Sequence, residues 1–348
     1  MERGKLYFRN GAYGEALLAF EDARNRRRNR YTRMEQDMIS LLSTPEVRQM
    51  KDDLDLIERY IADKHLLNAA NVLEEVYYRF PGLFPNTAEK RSASRILEVL
   101  KAIKEYPEAE YWIAETYRVE GELGIALRQY QKAYDQRPLL ETPGFELEIL
   151  YKIADIHRLR QEYNEMEKRL LEILIDDTLW EQNSISFRRT AMKGTLENPN
   201  EKDRLNRFLT LYRYNNPRVI RAHQLLGYYY YASGRYAHAT EHLMFVFLIQ
   251  NSIFMDEIIR REFDYTFTTL DNLLAEVMRR PDLAAYFDGL EYFKTLYYLG
   301  TAFFGDGKPA PARDFWTFLA GREDAGEWRG RALAQLRNPW LERAQEMP

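Results

Sequence analysis

The residues best placed for chemistry are His238, Glu241 and His242, in the run His-Ala-Thr-Glu-His. Two histidines four positions apart share one face of a helix, where both rings could bind zinc and the Glu could act as general base. Such a site needs a third ligand, and nothing singles out either downstream candidate, Glu257 or Glu262. The carboxylate pairs Asp52-Asp53, Glu74-Glu75 and Asp176-Asp177 are each adjacent in sequence. Adjacent residues point to different helix faces, so these pairs cannot converge on one substrate. Gly305-Asp306-Gly307-Lys308 lacks the Ser/Thr and the spacing of a phosphate-binding loop and reads as a turn. His65, His157 and His223 are isolated, and the absence of cysteine rules out thiolate zinc sites, disulfides and a Cys nucleophile. No enzyme constellation remains. The expectation is a non-enzyme with no cofactor and no metal.

The composition is that of a folded chain. Its 348 residues include 50 Lys+Arg, 54 Asp+Glu, 25 Tyr, 18 Phe and 5 Trp, and 45% are hydrophobic. That length suits two compact domains or one extended array. No apolar run approaches the roughly 20 residues of a membrane span. The net charge of -4 argues against nucleic acid as the main ligand. One basic run, Arg24, Arg26, Arg27, Arg28 and Arg30, stands apart. It suits a helix C-terminus, or else an anionic membrane surface or acidic partner. Lack of cysteine fits export to an oxidising compartment, with the cytoplasm as the alternative. Met1 to Arg9 are charged and helical in pattern, without the features of a secretory signal.

These residues must be carried by helices. Helical periodicity dominates, as where Ile96, Leu97, Leu100 and Ile103 fall on one face. Pro and Gly breakers divide the chain into segments of about 12–18 residues, ordinary lengths for globular helices. The fold class expected is all-α.

One pattern recurs along these helices. A small residue (Gly4, Ala114, Ala154, Gly227, Gly300) is followed by a turn glycine in three copies (Gly11, Gly121, Gly234). A second small residue comes next (Ala16, Ala69, Ala126, Ala239, Ala312), and four positions later a large one (Phe20, Leu73, Tyr130, Leu243, Trp316). Small residues allow two helices to approach, the large residue fills the space between adjacent repeats, and the turn glycine ends the first helix in a left-handed conformation. This pattern resembles the tetratricopeptide repeat, a helix–turn–helix unit of about 34 residues. Four copies are strong and two are faint. The packing role of Ala239 already explains the helix that carries His238 and His242.

The resemblance implies a right-handed superhelical solenoid of hairpins with inserted helices. The divisions expected are hairpins over 1–82, a central array over 83–178, an irregular joint over 179–216, and a C-terminal array over 217–348. In the last copy a Pro-rich loop, 305–311, replaces the tight turn. Residues 327–345 read as a capping helix with Trp328, Leu333 and Leu336 on its apolar side. The first copy lacks the start of its first helix, so upstream sequence is expected.

In this repeat family the first helix of each pair lines a concave groove. The matching positions here are Tyr111, Glu115 and Arg118, then Tyr151, Asp155 and Arg158, then Gln224, Tyr228 and Tyr231, then Tyr297, Thr301 and Phe304. Aromatic anchors bury large area at low entropy cost and suit a peptide or an amphipathic helix. The family's carboxylate clamp is not expected, because its positions hold Glu115, Asp155, Tyr228 and Thr301. A competing expectation is that inserted helices fill the groove. The function implied is a protein–protein interaction scaffold that binds one or more proteins. The alternatives are an envelope ligand-binding or transport-accessory protein with a cavity at Tyr228, Tyr231, Tyr297 and Phe304, and a structural part of a periplasmic flagellar assembly. The divergent, Arg- and Tyr-rich repeats resemble spirochaete-like bacterial envelope proteins, which implies a periplasmic location.

Overall fold

The computed structural model describes residues 1–41, 51–63, 65–79, 104–175 and 217–342. Among the described residues every regular element is helical. In the first half these are α1 (Glu2–Arg9), α2 (Tyr13–Leu41), α3 (Lys51–Ala62), α4 (Leu66–Arg79), α5 (Pro107–Val119), α6 (Leu123–Asp135) and α7 (Phe145–Leu159). The second half holds α8 (Tyr163–Ile173), α9 (Pro217–Ala232), α10 (Tyr236–Arg261), α11 (Leu270–Met278), α12 (Pro281–Asp288), α13 (Tyr292–Gly305), α14 (Pro309–Ala320) and α15 (Glu327–Arg337). Two compact units divide the chain, Met1–Gln161 and Glu162–Pro348. The boundary falls inside the expected central array. The expected joint at 179–216 and the amphipathic stretch 96–103 lie outside the described residues.

Four helices end in the same turn, and a fifth shares part of it. After α1, Gly11 N donates to Phe8 O (3.0 Å) and Ala12 N to Tyr7 O (3.0 Å). After α5, Gly121 N and Glu122 N donate to Arg118 O and Tyr117 O. After α9 the donors are Gly234 N and Arg235 N, to Tyr231 O and Tyr230 O. After α13 they are Gly307 N and Lys308 N, to Phe304 O and Phe303 O. This paired closure satisfies two of the orphan carbonyls at a helix end and needs a left-handed residue at its apex. Gly11, Gly121, Gly234 and Gly307 supply it, with φ of 75°, 84°, 74° and 74°. The stretch 305–311 is therefore not a long Pro-rich loop. It is the same tight turn, and Pro309 opens α14 at a position where a missing N–H costs nothing.

The fifth turn has Gln161 at its apex, with φ of 60°, and Gln161 N donates to Arg158 O. A side chain in this region is strained by about 1–2 kcal/mol. Gln161→Gly is expected to be neutral to stabilising by about 0.5 kcal/mol, while Gly121→Ala destabilises by about 1 kcal/mol. Paired urea denaturation curves check the opposite signs.

The small-to-large rule has a specific geometry. A Cβ added at Gly4 would lie 2.5 Å from the Phe20 ring, one at Gly227 2.6 Å from Leu243, and one at Gly300 2.9 Å from the Trp316 indole nitrogen. The large residue thus sits on the glycine of its own hairpin, rather than only between hairpins. Phe20 does both: it also stacks on Trp112 of α5, with centroids 5.7 Å apart. Ala16, Ala69, Ala126, Ala239 and Ala312 are fully buried.

α10 departs from expectation in length. It runs 26 residues, and by length and composition it could cross a membrane, with a mean hydropathy of 1.3 over its most apolar window. The sequence reading missed this because Gln250, Asn251 and Ser252 interrupt the apolar run. In the structure 83% of that window is buried inside the protein. Its amides find partners there: Gln250 donates to Leu290 O (3.1 Å) and Asn251 accepts from the Tyr292 hydroxyl (3.1 Å).

The capping helix is shorter than expected. α15 stops at Arg337 because Asn338 precedes Pro339, which disfavours helical backbone at the residue before it. Its buried residues are Ala332 and Gln335, whereas Leu333 is 38% exposed.

Candidate interaction surface

In the first unit the expected groove residues form a packed, charged cluster. Tyr111 of α5 is buried against Phe145 of α7 (centroids 4.7 Å) and Tyr130 of α6 (5.6 Å). Glu115 is also buried. It pairs with Arg118 at 2.8 Å and Lys152 of α7 at 3.1 Å, and accepts from the Tyr130 hydroxyl. Tyr111 and Glu115 therefore face the next helices rather than an open groove. Tyr151 and Asp155 are half-buried, and Arg158 is held by Asp155 at 2.8 Å.

Burial alone would raise the Glu115 carboxyl, but Arg118, the Tyr130 hydroxyl and Lys152 outweigh it and hold it below the usual 4.5. The stabilisation is fully present above that unfolded value and is lost as pH falls through the lower folded one. The urea midpoint of wild type is expected to fall more steeply between about pH 6 and pH 3 than that of Glu115→Gln.

The basic run is also used internally. Arg24 pairs with the fully buried Glu110 of α5 (3.1 Å) and Arg26 with Asp22 (2.9 Å). Arg27 pairs with Glu141 (2.9 Å) and lies over the Tyr106 ring (4.4 Å). Arg28 pairs with Glu105 (3.2 Å), and Arg30 with Glu74 of α4. These arginines tie α2 to its neighbours through carboxylates 44 to 114 residues away, Arg26 excepted, while the side chains of Arg26, Arg30 and Arg28 remain 80%, 54% and 42% exposed.

The second unit gathers aromatic residues on the adjoining faces of α9 and α13. Tyr298 is the centre, with Tyr231, Tyr228 and Tyr297 at 5.2, 5.3 and 5.5 Å and Trp328 of α15 at 6.0 Å. Tyr228, Tyr231 and Tyr297 are buried, against the expectation of an open groove. Tyr228 and Gln224 bond Thr295 at the start of α13 (both 3.1 Å), and Gln224 also donates to Leu290 O. Thr301 is buried with its hydroxyl on Tyr297 O (2.8 Å). Phe304 lies apart, against Trp316 at 5.9 Å.

Among the described residues, the stretch that follows α15 lies on Tyr231 and Tyr297. Beyond α15, residues 338–342 are non-helical. The Gln335 side chain, fully buried, donates to Trp340 O (3.1 Å) and accepts from Trp340 N (3.0 Å). Tyr231 donates its hydroxyl to Glu342 O (2.7 Å). The Glu342 carboxylate accepts from the Tyr297 hydroxyl (2.5 Å) and pairs with Arg331 (3.3 Å). Burial foremost, then the hydrogen bond to the Glu342 carboxylate, raises the Tyr297 hydroxyl above its usual range, so it stays a donor at neutral pH.

The sequence reading missed Tyr298, Arg331, Gln335 and Glu342. Only the Asn338-Pro339 break signalled that an extended segment would follow α15. The histidine run also resolves differently. His242 Nδ1 lies 2.9 Å from His223 Nδ1, both rings buried, whereas His238 is exposed. Among the described residues no group of three or more His, Asp or Glu is placed to hold a metal ion.

No family model matches the chain. It is similar to an uncharacterized protein of Treponema pallidum (strain Nichols), 25% identical over 338 residues, which are 97% of this chain and 88% of that protein. The match runs through both compact units.

Proposed function

We propose that the chain is a non-enzymatic interaction scaffold of the tetratricopeptide type, a solenoid of helical hairpins that binds a segment of another protein. The observation that carries this reading is the aromatic face of α9 and α13, beside which Gln335 of α15 and Tyr231 of α9 bond main-chain atoms of a non-helical segment. Main-chain pairing with side-chain pockets for selectivity is how extended peptides are recognised. The repeated turns, and the glycines seated under Phe20, Leu243 and Trp316, support the tetratricopeptide comparison. Similarity to a protein of Treponema pallidum, a spirochaete, supports a bacterial setting and leaves the compartment a proposal. The cavity-type alternative gains nothing, because Tyr228, Tyr231 and Tyr297 are covered and Phe304 lies elsewhere.

Affinity capture from the source organism, followed by reconstitution with the purified partner, tests the reading. The expected result is a protein that rebinds the isolated chain and does so at least tenfold more weakly to Tyr231→Phe/Tyr297→Phe. If no captured protein rebinds the purified chain, the reading is wrong.

A further inference from the structure

The segment 338–342 is held on this face mainly through polar groups. Its two large apolar residues, Trp340 and Leu341, are 41% and 44% exposed. What fixes it is polar: two bonds from Gln335, two from tyrosine hydroxyls, and one ion pair with Arg331. Polar bonds exchange readily, because a departing segment regains them with water, whereas buried apolar anchors do not. The platform residues sit on helices that have anchors besides the segment. Tyr231 and Tyr297 belong to α9 and α13, and α15 is secured separately by Ala332 in the core and by Arg329 donating to Ala320 O (3.1 Å).

We propose that residues 338–342 are a resident, displaceable ligand of this face, and that the partner presents an extended acidic segment of the same chemistry. Gln335 and Tyr231 pair with main-chain atoms and so accept any sequence. Selectivity comes from the Glu342 subsite, where the Tyr297 hydroxyl and the Arg331 guanidinium converge on a carboxylate. A competing segment therefore needs an Asp or Glu two residues after the residue paired with Gln335. This inference rests on the scaffold reading and specifies the partner's binding segment and its regulation. A tethered segment competes at an effective concentration of about a millimolar, so the closed chain binds such partners weakly until residues 338–342 lift.

The test uses the full chain and a dye-labelled peptide with the sequence of residues 337–345, read by fluorescence anisotropy. Wild type is expected to bind it weakly and Glu342→Lys, whose own segment is disabled, at least tenfold more tightly. A peptide with Gln in place of its Glu, or Tyr297→Phe added to the Glu342→Lys chain, should lose about tenfold of that gain. The idea is overturned if Glu342→Lys, folded by circular dichroism, binds no better than wild type. Should that variant unfold, the isotope-labelled wild-type chain decides. Millimolar peptide must accelerate amide exchange at Trp340, and unchanged exchange sinks the proposal. Failure of the scaffold reading looks different: the peptide binds the opened face, yet no captured protein rebinds the chain.

Discussion

Trp316→Ala should destabilise the second compact unit by about 3–5 kcal/mol, as for a fully buried tryptophan with no room to collapse. Trp316 lies against Gly300 of its own hairpin and beside Phe304. The hairpin should also fail from the opposite direction. Gly300→Ala sets a methyl group 2.9 Å from the indole nitrogen and is expected to cost about 1–3 kcal/mol through overpacking. The two changes must not add. In a Trp316→Leu background most of the Gly300→Ala penalty should vanish, giving a coupling energy of about 0.5–3 kcal/mol. Amide exchange within α13 and α14 measures this locally, which matters in a chain whose two units need not unfold together.

The second large effect concerns Glu110. Its carboxylate is fully buried between Arg24 of α2 (3.1 Å) and Lys132 of α6 (2.5 Å). Removing both cations with Arg24→Met/Lys132→Met leaves an uncompensated buried charge and should cost about 3–5 kcal/mol. Adding Glu110→Leu to that pair should restore most of the loss, because an apolar replacement of a whole buried ion group is often neutral. Urea denaturation of the first unit checks both. If the triple variant is as unstable as the double, the ion group matters for its shape and not its charge.

Helix ends and packing were legible because they depend on local rules. Gly11, Gly121 and Gly234 announce a left-handed turn, and Gly227 beneath Leu243 announces a close helix approach. The Gly307 turn was hidden by Pro309 and Pro311, which suggest a loop until they are placed at the start of a helix. The site was less legible because it depends on long-range pairing. Nothing local marks Glu115 as the partner of Lys152, 37 positions on, or the arginines of α2 as partners of Glu105, Glu110 and Glu141. Tyr231 and Tyr297 were found by their repeat positions, but periodicity cannot say that Glu342 sits on both. The length of α10 was missed because three polar residues break its apolar run, each buried in a setting only the tertiary structure provides.

The central claim is that the α9–α13 aromatic face receives an extended segment, its own or another protein's. Photo-crosslinking from p-benzoylphenylalanine in place of Tyr298 tests it most directly, since Tyr298 lies at the centre of that face. In the isolated chain the crosslink should fall on residues 338–342. In extract of the source organism, that intramolecular product should diminish while a crosslink to an acidic segment of a second protein takes its place. If position 298 crosslinks only within its own chain in both settings, while probes elsewhere on the chain capture a partner, the face is part of the core and the account is wrong.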